Sequence, residues 1–406
     1  MRIGWRGVGA VLSMASAVAL ADDPKPGAPA PIRFERIAID ENFPGAYQVE
    51  VVDVNGDRKP DIVVVGGSTL AWYENPTWIK RVVSTSKQTP AIISSATADL
   101  DGDGRAEIAI AYDFAMNEPK RGKLLLAVQG PKSDDPWTFR PIADVPSIHR
   151  LRWGDVDGDG RPELVVASIF GPKARPPAFD QDPAALAAYF TGADPKAGRW
   201  EGRILTHRPI LHAIEVRPGG RPDDAGVAIY TADGRAVARI SWDRRKHQPT
   251  VEEILGPKIP SPAWPKLGWS EVHLGHVDLG RREFLAMINP WHGSRVVVFV
   301  FEPFVTGSWL GPAVLDTTLD DGHALWVADV DGDGDDEVFA GHRGKDHRIS
   351  VYRRIGRDWI RTVIDTTVAA QDLRGGDIDG DGVPDIVAVG GKTHNVVWYR
   401  PIRPEK

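Results

Sequence analysis

The chain has 406 residues, a formal charge of −7 and no cysteine. The acidic balance argues against nucleic acid as a partner, and the cysteine count excludes disulfides and a lipidated cysteine. With 42% hydrophobic residues, 42 glycines and 33 prolines, the composition suits many short strands and turns around a large core rather than a disordered chain.

The first segment reads as an export signal. Arg2 and Arg6 precede an apolar stretch from Gly7 to Leu20, and Ala19, Leu20 and Ala21 form a small-residue cleavage site. The apolar run is too short, and too soon followed by Asp22 and Asp23, to span a membrane. Residues 1–21 are therefore expected to be removed, leaving a periplasmic or secreted protein. Residues 22–31, with four prolines, read as a linker. Everything from 32 to 402 reads as one repeat array.

The array is visible in five acidic loops of one design. They carry Asp53, Asn55, Asp57 and Asp61; Asp99, Asp101, Asp103 and Glu107; Asp155, Asp157, Asp159 and Glu163; Asp329, Asp331, Asp333 and Glu337; and Asp377, Asp379, Asp381 and Asp385. A run of small and β-branched apolar residues follows each loop. Two further segments, around Pro218 and His276, fit the repeat without its acids. With Asp53, Asp99, Asp155, Pro218, His276, Asp329 and Asp377 aligned, seven units result, spaced 46 to 63 residues apart.

Each unit holds four strand signals. One leads into the loop and a nearly all-apolar one follows, as in Leu164–Ala167, which suits a strand covered on both faces. A third ends in an aromatic pair such as Trp72 and Tyr73, and a fourth begins at Trp78, Trp200 or Trp359. Seven units of four antiparallel strands make an all-β, seven-bladed β-propeller. The last unit stops after its third strand, whereas the segment Phe34–Ile39 is an orphan fourth strand. Pairing the two is expected to close the ring and remove the exposed edges.

The loops offer carboxylates at positions 1, 3, 5 and 9, which suits calcium and its roughly six to eight oxygen ligands. No helical pattern flanks them, so the helix–loop–helix calcium hand is excluded. The first loop, with Asn55 at position 3 and Arg58 in place of glycine, is expected to bind most weakly. The same carboxylates would also serve as Asx-turn acceptors. Bound calcium would be structural, because a fully ligated ion has no place for substrate.

Counting back six residues from each reference position gives Tyr47, Ile93, His149, His212, Ser270, His323 and Gln371. These residues begin the innermost strands on the face opposite the loops, and sevenfold geometry brings them into one ring. The irregular fifth unit could place Glu271 or His273 there instead of Ser270. Three converging imidazoles, His149, His212 and His323, can hold a divalent ion such as zinc, manganese or magnesium. Loops reaching the same face carry His292, His342, Arg343 and His394, and a long proline-rich one between Phe170 and Pro183 could form a wall.

The units resemble FG-GAP or VCBS calcium-loop propeller repeats. More narrowly, Phe43–Tyr47, Trp72–Trp78, Phe170–Lys173, Pro290–Gly293 and the histidine ring resemble the propeller of the aldos-2-ulose dehydratase family. That family eliminates water from keto-sugars such as 1,5-anhydrofructose, and its fungal members add cupin domains for a following isomerisation, an activity expected to be absent here because the 406 residues are taken up by the propeller. The resemblance implies a carbohydrate lyase with His149, His212 and His323 as metal ligands or acid–base groups. Tyr47, His292, His342 and Arg343 would orient the sugar. The alternative is a non-catalytic propeller that binds glycan or protein.

Overall fold

A computed structural model describes residues 31–256, 268–303 and 307–402. The expected signal peptide, and the linker up to residue 30, lie outside the described residues. Among those described, 28 strands form seven four-stranded antiparallel sheets, each a blade. No helix among them is long and apolar enough to cross a membrane.

The first strand of each blade is innermost. Ala46–Val52, Ser94–Ala98, Ile148–Gly154, Ala213–Pro218, Glu271–Val277, Gly322–Ala328 and Ala370–Gly376 each touch the next, and the last returns to the first. The ring is closed as the sequence predicted: Arg33–Asp40 pairs antiparallel with Asn395–Ile402, setting Arg33 opposite Ile402. Blade seven therefore takes three strands from one end of the chain and its outermost from the other.

The core lies between blades rather than inside any one. Ile62, Val64, Ala71 and Tyr73 of blade one pack directly on Val387, Val389, Val396 and Trp398 of blade seven. This explains why second strands such as Asp61–Gly66 and Asp385–Gly390 are buried along their whole length: each is covered by a neighbour on both sides.

A polar bridge recurs at three of these interfaces. Tyr73, Tyr352 and Tyr399, all on third strands, donate their hydroxyls to Asp40, Asp316 and Asp365 at the end of the preceding blade's fourth strand, at 2.5, 2.7 and 2.6 Å. Each tyrosine is almost fully buried. Hydrogen bonds to an ionised buried acceptor are worth about 1.5–3 kcal/mol each.

The start of every innermost strand carries a kink that matters for the site. In blades one, three, six and seven the pairing skips Tyr47, His149, His323 and Gln371, which are the ring positions. In blades two, four and five the ring residue bonds through its N–H to the carbonyl of Ala111, Ala232 or Ile288, already paired to its follower. Two residues thus oppose one, a β-bulge that re-aims the extra side chain.

Candidate active site at the channel mouth

Three of the bulged positions are histidines, and their anchoring follows one rule. The Nδ1–H of His149 donates to the carbonyl of His212 at 3.2 Å, that of His212 to Ser270 at 2.5 Å, and that of His323 to Gln371 at 2.7 Å. Each acceptor is the ring residue of the following blade. A carbonyl only accepts, so Nδ1 carries the proton and Nε2 is left as an unprotonated acceptor, which on His323 faces the Gln371 amide nitrogen at 3.3 Å. All three side chains are at most 3% exposed.

Burial, with the cationic Arg150 nearby, pushes His149 and His212 well below the ordinary imidazole range; burial and Arg343 do the same for His323. The ring imidazoles are therefore neutral at physiological pH.

A fourth imidazole enters from the loop between the second and third strands of blade five. His292 stacks flat on Trp291 at 3.8 Å and sits in the left-handed backbone region with φ 49°, which costs a non-glycine residue about 1–2 kcal/mol. That conformation accompanies a ring whose Nε2 lies 3.0 Å from His212 Nε2. Arg343 Nη2 donates to His292 Nδ1 at 3.2 Å and is itself held by Asp321, its Nε 2.8 Å from Oδ2. Proton bookkeeping is then consistent: Arg343 gives to His292, His292 to His212, and His212 to the Ser270 carbonyl. Burial, followed by His212 and Arg343, holds His292 down at about 2.

Donor nitrogens of His212, His292 and His323 lie within 4.8 Å of one another. Two nitrogens on one tetrahedral zinc stand about 3.3 Å apart, given Zn–N of about 2.0–2.1 Å, close to the 3.0 Å between His212 and His292. An ion here would replace the His292 Nε2 proton, and the proton moved to Nδ1 would displace the Arg343 hydrogen bond and go to Asp321 Oδ1, 3.6 Å away. The residues fit a divalent ion.

His149 is not in this group of three. Its Nε2 accepts instead from the Tyr47 hydroxyl at 3.2 Å, while Arg150 lies 3.4 Å from both and over the Tyr47 ring. Tyr47 also meets His323 edge-on at 5.7 Å. Phe114 tilts against His149 at 5.7 Å and completes this wall.

Other expected residues point elsewhere. His342 is buried with Nδ1 against the Asp320 backbone, outside the triad. His394 is exposed and accepts from the Gly45 N–H at 3.2 Å, tying the blade seven hairpin to blade one. Ser270 supplies the fifth ring position through its carbonyl. Glu271 and His273 line the channel below it, with Glu271 Oε1 3.4 Å from His212 Nδ1 and His273 3.5 Å from Glu215. Burial pushes Glu271 up to about 7. For Glu215 burial acts in the same sense, but His273, Arg217 and Arg374 outweigh it and hold the group at about 2.

On the opposite face every acidic loop has one construction. The position 1 aspartate takes backbone N–H groups of its own loop: two at Asp53, Asp99 and Asp329, one at Asp377, and three at Asp155, from Gly158, Asp159 and Gly160 at 2.8, 3.1 and 3.0 Å. The position 9 acid takes one in four loops, as Glu163 does from Val156 at 2.8 Å, and two at Asp61, from Val54 and Asn75. Carboxylate oxygens converge within 4.8 Å in four loops: Asp99, Asp101 and Glu107; Asp155, Asp157 and Glu163; Asp329, Asp331 and Asp333; Asp377, Asp379 and Asp385. The Asp53 loop does not form such a group among the described residues.

Burial, joined by repulsion from neighbouring carboxylates, pushes Glu337 up to about 9, Glu163 to about 7 and Asp385 to about 6. One buried oxygen, Asp377 Oδ1, has no hydrogen-bond partner. An oxygen cage of this kind fits a hard divalent cation in the Asp155, Asp329 and Asp377 loops. In the Asp99 loop a lysine ammonium already lies among the carboxylates.

Blade count defines a seven-bladed β-propeller, and two stretches of it, residues 53–110 and 329–388, match the FG-GAP-like repeat. Among individual proteins, the chain is similar to the aldos-2-ulose dehydratase of Phanerodontia chrysosporium, 22% identical over 355 residues. The match covers 77% of this chain and 38% of that protein, so the chain spans well under half of its relative's length. Two solved structures resemble it in fold. One is an Agrocybe aegerita lectin that recognises non-reducing terminal N-acetylglucosamine, at 13% identity and TM-score 0.52, covering 88% of this chain and 86% of the lectin. The other is the Cps50 (Swd1) β-propeller domain of Myceliophteria thermophila, at 12% identity and TM-score 0.51, covering 91% and 99%. At such identities the likeness concerns the propeller fold alone.

Proposed function

We propose that the chain is an exported, calcium-stabilised propeller that eliminates water from a keto-sugar of the 1,5-anhydrofructose class at the histidine-lined mouth. The observation that carries this reading is the anchoring of the ring imidazoles, each locked through Nδ1 to the next blade so that Nε2 is unprotonated and aimed at the mouth as an acceptor. A scaffold that only binds a partner has no need of such an arrangement. The similarity to a sugar dehydratase over 77% of the chain supports the same chemistry.

The geometry divides the labour. His212, His292 and His323 would hold a divalent ion such as zinc, manganese or magnesium, which supplies Lewis-acid polarisation of the sugar carbonyl. Tyr47 and His149 form a separate proton-handling pair. His149 Nε2 takes the proton from the carbon beside the carbonyl, and that C–H electron pair becomes the new C=C bond. The hydroxyl on the next carbon leaves with a proton from the Tyr47 hydroxyl, departing as water, and the pair's proton balance is restored by transfer across its 3.2 Å contact. Arg343, fixed by Asp321, orients sugar hydroxyls at the rim. The Asp155, Asp329 and Asp377 loops hold calcium as scaffold.

Incubating metal-loaded protein with 1,5-anhydrofructose and other keto-sugars should generate the ultraviolet absorbance of a conjugated enone. Silence across the panel, in protein shown to carry metal at the ring, would sink the catalytic reading. Sugar binding without turnover would leave a glycan-binding propeller in its place.

A further inference from the structure

The Asp99 loop differs from its three companions in what sits at its centre. Lys196 Nζ lies 2.8 Å from Asp101 Oδ2, 2.9 Å from Asp103 Oδ2 and 3.0 Å from Glu107 Oε1. Those are positions 3, 5 and 9 of the loop, three of its four candidate calcium ligands, and two of them, Asp101 and Glu107, belong to the converging group. Among the described residues, no other acidic loop has a cation bonded to its position 9 acid. Arg353 comes nearest, reaching Asp331 and Asp333 at 2.6 and 3.3 Å from the flank, without Glu337.

Lys196 is delivered from blade three by a built support. It belongs to the segment between strands Ala184–Phe190 and Glu201–Arg208. Arg140, on blade two's outermost strand, donates to the carbonyls of Gly198 and Pro195 at 2.8 and 2.9 Å. Trp200 Nε1 donates to the same Pro195 carbonyl at 3.0 Å, with the Arg140 guanidinium 5.4 Å above the Trp200 ring. The lysine side chain is only 23% exposed. A surface lysine spends its entropy in water; this one is held by its turn at both shoulders.

We propose that Lys196 is a tethered substitute for calcium, so that the Asp99 loop is not a calcium site and blades two and three are latched without metal. An ammonium and a calcium ion cannot share one cage of three carboxylates. Full-length loops of nearly identical sequence then divide into two kinds, metal-held and lysine-held. The inference rests on the reading that the Asp155, Asp329 and Asp377 loops bind calcium.

The test counts ions. Chelator-stripped wild type, K196M and K196R are dialysed to equilibrium against calcium, and bound calcium per chain is measured by mass spectrometry of the metal. K196M is expected to bind one calcium more than wild type and K196R the wild-type number. K196M should also melt lower in chelator than wild type and recover when calcium is added, an outcome that holds even if the variant folds only with calcium present. A K196M chain with the wild-type count, or one that calcium does not rescue, overturns the proposal. Wild type that binds no calcium removes the reading beneath it, and the wild-type count tells the two failures apart.

Discussion

Replacing Tyr47 with phenylalanine should separate proton transfer from metal binding at the mouth. The change removes one oxygen, which lies 3.2 Å from His149 Nε2 and 3.4 Å from Arg150. It leaves the ring that packs edge-on against His323. A positioned acid or base contributes about 10²–10⁴ in rate, so Y47F should lower kcat by that factor, or about 3–5 kcal/mol of barrier. Metal content should stay at the wild-type level, because Tyr47 is not among the three imidazoles within 4.8 Å of one another. H292A should behave in the opposite order. It deletes one of three nitrogen donors and should weaken metal binding by more than the roughly 10–100-fold typical of losing a ligand's supporting partner. The readouts are enone absorbance for turnover and metal per chain after dialysis. Y47F turnover within about threefold of wild type, or metal loss in Y47F equal to that in H292A, would refute the division.

Three further outcomes follow from the scaffold. Y352F should lose about 2 kcal/mol of stability in denaturant melts, since it strips a hydroxyl from buried Asp316, which keeps Thr318 and Arg361; a loss under about 0.5 kcal/mol would mean the bridge is idle. Acid should expose the same group. Burial alone would raise Asp316, but the hydrogen bonds from Thr318, Tyr352 and Arg361 hold it at about 2, below its unfolded value of about 3.9. Its contribution of about 2 kcal/mol is therefore complete above pH ~4 and lost as pH falls toward 2, whereas a flat stability profile between pH 5 and 2 would contradict the assignment. Chelation should lower the melting temperature and added calcium restore it, because an ion that binds only the folded chain stabilises it by mass action. No shift would return the loops to their Asx-turn role.

Blade number, closure and ring positions were legible in the sequence because all depend on counting. An acidic loop recurs at fixed offset from the strand before it, so six residues back always lands on the bulge. What counting could not supply was depth and reach. His292 joins His212 through a left-handed φ and a stack on Trp291, and neither leaves a periodic trace. His149 lies on the ring as counted, yet its Nε2 faces Tyr47 rather than the imidazole group, a difference of direction and not of position. Asp321 carried a faint signal, as the second of two acids just before Gly322 and His323. Lys196 carried none, since it stands 93 residues from Asp103 in an outer turn of another blade.

The clasp between the chain's two ends also has a kinetic meaning. Arg400 pairs with Glu35 across 365 residues and Arg36 with Asp365 across 329. Contacts of such separation must wait until everything between them is ordered enough to bring the ends together. The outermost strand of blade seven thus carries a large loop-closure cost, and without it Asn395–Ile402 would lie open as an edge. Once seated, it turns an arc into a hoop. An arc can fray blade by blade from either tip, whereas a hoop has no tip, and its lifetime is governed by how often this one seam comes apart.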